Sequence, residues 1–447
     1  MIVMKFGGTS VESAAAIARV AGIVQARAER HPVVVVSAMG KTTNRLLEIA
    51  NTAVAGDRDK ALSLLENLRQ FHHQESSLTA AIDEHFAELA ELIKGLVVMG
   101  EFTPRATDAV SAYGERLSSL IVTEEFRKAG MDAVHVDARK VIVTDNRHTQ
   151  AAPNFIETYK RLEGVVPPLA AKHVVVMGGF IGSTAEGITS TLGRGGSDFT
   201  ASIVGAGIGA EEIQIWTDVD GMLTCDPRIV EGGHRIRVCS FAEAAELAYF
   251  GAKVLHPATV VPAIEKNIPV RILNSRRPEV EGTLIVAEAV NGGANPVKSI
   301  ACKQNITAVS ITSTRMLMAH GFLRRIFEVF DRHETAVDMV TTSEVNVSLT
   351  IDNTRHLASI QTELAQFSEV SIEENQAIVS LVGDNIRHTP GIAARVFGAM
   401  NGINIRMISQ GASRLNISFV VDGADLTRSV ASLHTEFFST LDPAVFD

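Results

Sequence analysis

The chain has 447 residues, enough for about three domains of ordinary size. Apolar residue types make up 46%, which is ample for packed cores, and 41 basic against 51 acidic residues leave a net charge of −10 that argues against nucleic acid as a partner. The three cysteines form no CxxC pair and no apolar run approaches the ~20 residues of a membrane span, so we expect a cytoplasmic protein without disulfides, structural zinc or membrane contact.

Residues 1–290 predict strands that alternate with helices, which is typical of a mainly parallel sheet sandwiched by helices. In such sheets ligands bind beyond the carboxyl ends of the strands, so the residues that follow each strand are candidates for a site. The stretch from Arg58 to Gly130 predicts mostly helix. Short apolar runs predict buried strands at Ile2–Phe6, Pro32–Val36, His173–Met177, Ile213–Trp216 and Pro269–Leu273.

The composition shifts to glycine and asparagine between residues 282 and 296, which predicts a domain boundary. Beyond it the chain repeats itself at an offset of 70 residues, because Gly321 aligns with Gly391 and Asn346 with Asn416. Each copy reads as a glycine, an amphipathic helix and apolar strands. We therefore expect a pair of small α+β modules after the sheet domain.

Lys5 lies at the end of the first predicted strand, and Gly7 and Gly8 follow that strand ahead of a predicted helix. Exposed backbone N–H groups, the positive end of a helix dipole and a mobile cation together suit phosphate oxygens. A glycine turn between a strand and a helix is also a common structural connection, so this motif alone leaves both interpretations open.

The segment Thr191–Asp198 combines three glycines, Arg194 and an acid ahead of an apolar helix, which predicts a second anion-binding loop. Arg194 could bind a carboxylate through both of its terminal nitrogens. Asp198 would repel a phosphate unless Mg²⁺ or Lys5 lay between them. The alternative for Asp198 alone is an ordinary cap on the following helix.

Three weaker signals carry alternatives of their own. Thr217 and Asp218 end a predicted strand and suit ribose or metal contacts, although turns use the same residues. Lys253 follows a predicted helix, where ordinary capping also explains a lysine. The pair His72-His73 with Glu75 lacks a sensible metal-ligand spacing, and we expect a solvated helix face there.

Eight ordered segments together resemble the aspartokinases of the amino-acid kinase family. They are KFGGTSV from Lys5, SAMGKTTN from Ser37, GE at Gly114, GFIG from Gly179, TLGRGGSD from Thr191, WTDVDG from Trp216, DPR from Asp226 and FGAKVLHP from Phe250. The tail repeat resembles the tandem ACT regulatory modules of that family. One departure is Leu223, close to a position where many relatives carry tyrosine.

The resemblance implies an amino-acid kinase fold over residues 1–290, followed by two α+β ACT modules. The first module, 313–375, would be inserted in the second, which combines 297–312 with 376–447. The implied activity is ATP-dependent phosphorylation of the β-carboxylate of L-aspartate with Mg²⁺, the first step towards lysine, threonine and methionine. The implied assembly is a homodimer through the ACT modules, with a tetramer as the alternative.

The resemblance also assigns residues to roles. Lys5 and Asp198 would be catalytic, with Arg194 orienting the substrate α-carboxylate and Glu115 recognising its α-ammonium. Asp198 would hold Lys5 or the metal rather than abstract a proton, because a carboxylate nucleophile is already ionised at neutral pH. The substrate-binding set is Ser37, Thr43, Glu115, Phe180, Thr191, Arg194 and Ser197. The nucleotide-binding set is Lys5, Gly7, Gly8, Thr217, Asp218, Arg228 and Lys253.

The effector site implied by the resemblance lies in the first ACT module, and lysine is the favoured effector with threonine as the alternative. Asp338 and Glu344 could neutralise an effector ammonium, or both acids could simply face solvent. The expected set is Met316, Phe322, Leu323, Val337, Asp338, Ser343 and Glu344. Two further functions stay open at this stage: a related kinase acting on N-acetylglutamate, glutamate or UMP, and a catalytically inactive amino-acid sensor.

Overall fold

The computed structural model describes residues 1–251, 257–289, 295–313 and 320–447. These residues divide into two compact units. The first contains residues 1–222, 238–241 and 257–289, and the second contains 223–237, 242–251, 295–313 and 320–447. Residues 223–237 and 242–251 thus group with the second unit, although the sequence alone suggests a single boundary near residue 290. Lys253 and Met316 lie outside the described residues.

The strands are β1 Ile2–Phe6, β2 Pro32–Val36, β3 Ala133–Val136, β4 Val143–Thr144, β5 Val174–Gly178, β6 Ile181–Thr184, β7 Thr189–Thr191, β8 Glu212–Thr217, β9 Val238–Ser240, β10 Val270–Asn274, β11 Thr283–Val286, β12 Val297–Thr312, β13 Val340–Thr342, β14 Asn346–Ile351, β15 Glu369–Gly383, β16 Met407–Gln410 and β17 Asn416–Asp422.

The helices are α1 Ala14–Gln25, α2 Thr42–Val54, α3 Arg58–Glu75, α4 Thr79–Met99, α5 Pro104–Ser111, α6 Tyr113–Lys128, α7 Phe155–Ala170, α8 Gly196–Ile208, α9 Phe241–Tyr249, α10 Val261–Glu265, α11 Phe322–Arg332, α12 Leu357–Leu364, α13 Ile392–Ala399 and α14 Leu426–Phe438. None of the described helices is both long and apolar enough to cross a membrane.

The main sheet of the first unit has the strand order β3-β5-β2-β1-β8-β10-β11-β9, and the six strands from β3 to β10 run parallel. The apolar, β-branched runs form its centre because parallel strands are buried on both faces; β1, β2 and β5 are buried along their whole length. Phe6 pairs with both Val36 and Trp216. The carboxyl ends of these strands therefore meet at one edge, as the sequence predicts.

The prediction of a solvated face at His72-His73 is wrong for His72, whose side chain is fully buried on α3. Its ring packs against Phe71 and Phe86, and Nδ1–H donates to the Leu68 carbonyl at 2.8 Å. Helix α4 covers this face of α3, and a single sequence gives no sign of which helix will cover which.

His72 makes the free energy of unfolding depend on pH. Burial, helped by the nearby positive charge of Arg45, lowers the pKa of His72 to about 4. A histidine pKa lowered on folding means that the unfolded chain takes up a proton below pH 6.5 while the native one does not. Acidification from pH 7 to 5 should therefore cost about 2 kcal/mol through this residue.

Urea unfolding at both pH values, on the native chain and on His72→Phe, measures the His72 contribution. The variant should lose about 2 kcal/mol less than the native chain on acidification. Parallel stability losses in the two proteins would contradict the assignment.

The sheet of the second unit has the order β13-β14-β12-β15-β17-β16, with every neighbouring pair antiparallel. The repeat seen in the sequence has a structural counterpart. Gly321 and Gly391 each precede a helix, α11 and α13, with φ of +79° and +78°, a left-handed conformation that glycine adopts without strain. Apolar side chains from α11, α12, β12 and β14 form one of its cores.

Candidate active site

Four chain segments of the first unit meet beyond the carboxyl ends of the parallel strands. Lys5 is near the end of β1, Ser37 directly follows β2, and Phe180 follows β5. The loop after β7 brings in the glycine-rich segment 193–198, which leads into α8. The two glycine segments that the sequence singles out separately are therefore neighbours in space.

Lys5 and Asp198 form a close ion pair, with 2.6 Å between Nζ and Oδ1. Their side chains are only 11% and 16% exposed. Because the pair is largely withdrawn from water, its charges act more strongly on a bound ligand than surface charges would. Asp198 lies in the first turn of α8, and no hydrogen bond among the described residues makes its carboxylate a cap of that helix, so the capping alternative has no support.

The glycine loop keeps the start of α8 open. Gly193 and Gly195 have φ of +76° and +72°, which side-chain-bearing residues rarely adopt. Gly195 is the N-cap of α8, and the Gly196 N–H donates to the Gly193 carbonyl at 3.0 Å. No side chain among the described residues caps the next two N–H groups, those of Ser197 and Asp198. These groups and the helix dipole point positive charge towards the site, which favours an anion there.

Gly8 is needed for a reason that the sequence does not reveal. A Cβ atom at this position would approach the carbonyl oxygens of Ala38 and Gly40 to 2.9 Å. The segment after β1 therefore packs directly against the backbone after β2. A short 3-10 turn, Gly8–Ser10, lies between β1 and the predicted helix, which is α1 and begins at Ala14.

Glu115, on α6, carries the most perturbed carboxyl group of the site. Its Oε1 accepts a hydrogen bond from the Ala38 N–H at 3.1 Å, while Oε2 is buried without a hydrogen-bond partner among the described residues. Burial raises the pKa of Glu115 to about 8, although Lys5 and the Ala38 N–H act in the opposite direction. A cation that binds beside such a carboxyl group stabilises its ionised form.

These residues surround a cavity of about 290 Å³, at the small end of the range for ligand pockets. Seven of the predicted catalytic and substrate residues contribute to its wall. The lining residues are Lys5, Ser37, Thr43, Glu115, Phe180, Gly193, Gly195, Gly196, Ser197 and Asp198.

Two predicted substrate residues are not in that wall. The Thr191 hydroxyl is buried and donates to Asp108 Oδ1 at 2.6 Å. Arg194 has an exposed side chain between Gly193 and Gly195, on the loop that borders the cavity.

The predicted nucleotide residues are distributed less compactly. Thr217 is the last residue of β8, which pairs with β1, and Asp218 follows it. The Gly7 N–H donates to the Trp216 carbonyl at 3.1 Å, so these residues adjoin Gly7 and Gly8. The Asp218 side chain is exposed. Arg228 belongs to the second unit, where it forms an ion pair with Asp226.

In the second unit, the predicted effector residue Asp338 is neither solvated nor free. Its side chain is 6% exposed, and Oδ1 lies 2.6 Å from Lys303 Nζ. Its Oδ2 is buried without a hydrogen-bond partner among the described residues. Of the other predicted effector residues, Phe322 is buried, Val337 is half-buried, and Leu323, Ser343 and Glu344 are exposed.

Sequence reasoning missed Asp108, whose side chain is fully buried beside the substrate segment. It lies inside α5, in a region predicted only to be helical. No motif includes it, and an aspartate within a helix gives no local sign of a distant partner.

The parallel sheet and the cation, acid and glycine loops beyond its strands define a phosphotransferase site. The model of the amino acid kinase family matches residues 1–274, and that of the ACT domain matches residues 379–437. The chain belongs to the amino acid kinase family. The predicted fold class, an amino-acid kinase fold followed by ACT modules, is confirmed.

The relatives specify the activity. The chain is 40% identical to chloroplastic aspartokinase 3 of Arabidopsis thaliana, over 98% of this chain and 82% of that one. Two structures of E. coli aspartokinase III, each 36% identical over 98% of this chain, are similar to it. The complex with lysine and aspartate has a TM-score of 0.85 and 99% coverage, and the complex with aspartate and ADP has 0.83 and 100%. Within its family the chain is thus one of the aspartokinases, enzymes that phosphorylate aspartate with ATP as co-substrate.

Proposed function

We propose that the cavity around Lys5 and Asp198 binds L-aspartate and that the γ-phosphoryl group of ATP is transferred there to the β-carboxylate. The observation that carries this proposal is that the ion pair of Lys5 with Asp198 shares a cavity with Glu115, whose Oε2 has no hydrogen-bond partner among the described residues. The ammonium of Lys5 suits the transferring phosphate, and the carboxylate of Glu115 suits the substrate ammonium. A related aspartokinase binds aspartate and ADP together.

The reaction needs no general base. The reference pKa of an aspartate side chain is about 3.9, so the nucleophile is ionised at neutral pH. The obstacle is the approach of two anions, and catalysis consists of orienting them and neutralising the transferring group. Lys5 supplies the positive charge, and Asp198 holds the Lys5 ammonium in position at 2.6 Å.

The substrate is held at both ends of its amino-acid group. Glu115 Oε2 accepts a hydrogen bond from the α-ammonium, and Arg194, on the exposed edge of the glycine-rich loop, forms an ion pair with the α-carboxylate. Ser37, Thr43 and Ser197 offer hydroxyl groups in the cavity wall. The first N–H groups of α8 face the same region and suit a second set of anionic oxygens.

ATP enters past the segment that contains Gly7 and Gly8, with Thr217 and Asp218 on the ribose side. No cluster of three or more acidic, histidine or cysteine side chains suited to a metal occurs in the described part of the chain. Mg²⁺ would accompany the phosphates of ATP, as is usual for this ion, and would supply further positive charge to them beside Lys5.

Lysine is the proposed effector of the second unit. A related aspartokinase binds lysine together with aspartate. Oδ2 of Asp338 is buried without a hydrogen-bond partner among the described residues. Lysine brings a side-chain ammonium as well as its α-ammonium, whereas threonine brings only the α-ammonium, so this carboxylate favours lysine. Burial raises the pKa of Asp338, so a bound ammonium would stabilise its ionised form.

Initial rates of aspartohydroxamate formation, with hydroxylamine as the trap, test the proposed reaction and the proposed lysine effector. Product should require L-aspartate, ATP and Mg²⁺ together, and added lysine should inhibit at concentrations where threonine does not. Asp338→Asn should raise the lysine concentration for half-inhibition at least tenfold, whereas Glu436→Gln, an exposed acid of the same unit, should not. Inhibition by threonine alone would exclude the lysine proposal.

For the whole chain we propose a catalytic domain over 1–290, a first ACT module over 313–375 inserted in a second one formed by 297–312 and 376–447, and a homodimer through these modules. Light scattering on the purified protein distinguishes this dimer from a tetramer. A cytoplasmic location also remains a prediction, and its support is that the three cysteines are odd in number and form no CxxC pair.

A further inference from the structure

Asp108 is a charged side chain that is 0% exposed, and it accepts hydrogen bonds from three other residues. His148 Nδ1–H donates to Oδ2 at 2.7 Å, and the Thr149 N–H is shared between the two oxygens at 3.0 and 3.1 Å. The Thr191 hydroxyl donates to Oδ1 at 2.6 Å. A buried carboxylate is tolerated only when its oxygens are satisfied in this way.

These donors come from different parts of the fold. His148 and Thr149 belong to the loop between β4 and α7, and Thr191 ends β7, where the glycine-rich loop of the active site begins. Thr149 has a φ of +71°, a strained conformation for a β-branched residue that requires support from its surroundings. The carboxylate of Asp108 provides that support through the Thr149 N–H.

The supported loop packs directly on the glycine-rich loop. The Ala151 N–H donates to the Thr191 carbonyl at 2.9 Å, and a Cβ at Gly193 would lie 3.1 Å from the Thr149 carbonyl oxygen. Residues 149–151 thus pack against the start of the segment that continues to Asp198 and hold it in position. Displacement of residues 149–151 would displace Gly193 and the residues that follow it.

Asp108 is also tied to the other side of the cavity. It lies on α5, seven residues before Glu115 on α6, and only Ala112, in a right-handed helical conformation, separates the two helices. The same carboxylate therefore joins the helix pair that carries Glu115 to the loop that carries Arg194 and Asp198.

We propose that Asp108 is a positioning residue that sets the distance between Glu115 and the glycine-rich loop, and so determines the affinity for aspartate. It acts through Thr191 and the Thr149 turn, without touching the substrate. This inference rests on the aspartate pocket proposed above. Among the described residues, no hydrogen bond joins Asp108 to the nucleotide segments after β1 and β8, so a change at Asp108 should affect the binding of aspartate far more than that of ATP.

The test is steady-state kinetics on Asp108→Ala, Asp108→Asn, Thr191→Val and the double variant Asp108→Ala/Thr191→Val. Asp108→Ala should raise KM for aspartate at least tenfold while KM for ATP changes less than twofold. Asp108→Asn keeps an oxygen for Thr191 and should restore most of the affinity. The double variant should be little worse than the more damaged single variant, because both changes break one connection.

Asp137→Asn is the matched control, since this carboxylate of the same unit binds Arg139 and does not contact the glycine-rich loop. Circular dichroism checks the fold, and if Asp108→Ala does not fold, Thr191→Val and Asp108→Asn provide the same comparison. A normal KM for aspartate in folded Asp108→Ala or in Thr191→Val, or additive effects in the double variant, would overturn the inference.

Glu115→Gln and Arg194→Ala in the same assay separate the two proposals. If they leave KM for aspartate unchanged, the proposed pocket itself is wrong. If they raise it while the Asp108 and Thr191 variants do not, only the positioning role fails.

Discussion

Replacement of Lys5 by alanine should lower kcat by about 10²–10³-fold, with the fold intact and KM for aspartate changed far less. Lys5 carries a positive charge in the wall of the proposed cavity, and its ammonium is held by Asp198 at 2.6 Å. A charge that is fixed in advance stabilises the transition state without reorganisation during the reaction. Its removal should therefore act on turnover rather than on binding.

Lys41→Ala provides the control for the loss of a lysine, since Lys41 is exposed at the N-cap of α2 and is not part of the cavity wall. Thermal unfolding of both variants establishes that the fold is retained. If purified Lys5→Ala kept near-normal kcat, the assignment of the phosphoryl-binding cation would be wrong.

The affinity for aspartate should depend on pH through Glu115. Burial raises the pKa of Glu115 to about 8, so the free enzyme carries a neutral carboxyl group below that pH. The substrate α-ammonium binds the ionised form, and binding therefore releases a proton. As pH falls from 8 to 6, kcat/KM for aspartate should decrease by up to about tenfold per pH unit.

Glu115→Gln removes the titrating group, so its kcat/KM for aspartate should be low and nearly independent of pH over this range. The pH dependence of kcat/KM for ATP in the native enzyme serves as the internal control. The same slope in Glu115→Gln and the native chain would show that another group titrates.

The sequence is most informative where one segment contains both the fold signal and the chemistry. Lys5 lies near the end of the apolar strand β1, and Gly7 and Gly8 follow that strand directly. The loop that ends at Asp198 follows the short strand β7 and is recognisable from its own glycines and charged residues. The repeat at Gly321 and Gly391 is visible because the same left-handed helix start is needed twice.

What the sequence does not reveal is set by contacts between distant segments. Asp108 acquires its role from donors 40 or more residues away. His72 is buried because of the way α4 covers α3, and Gly8 is required because the backbone after β2 approaches it. Local patterns specify which residues are apolar or turn-forming, but they contain no information on which partner will face them.

The two central strands of the second unit have a consequence for how that unit can come apart. Thr307–Thr312 pairs with β14 on one side and with Glu369–Glu373 on the other, while the beginning of the same strand pairs with the end of β15. One uninterrupted backbone thus belongs to both halves of the repeat. Cutting the chain between the halves would leave each with a missing strand, so they should melt as a single cooperative block, and neither should survive as an isolated fragment.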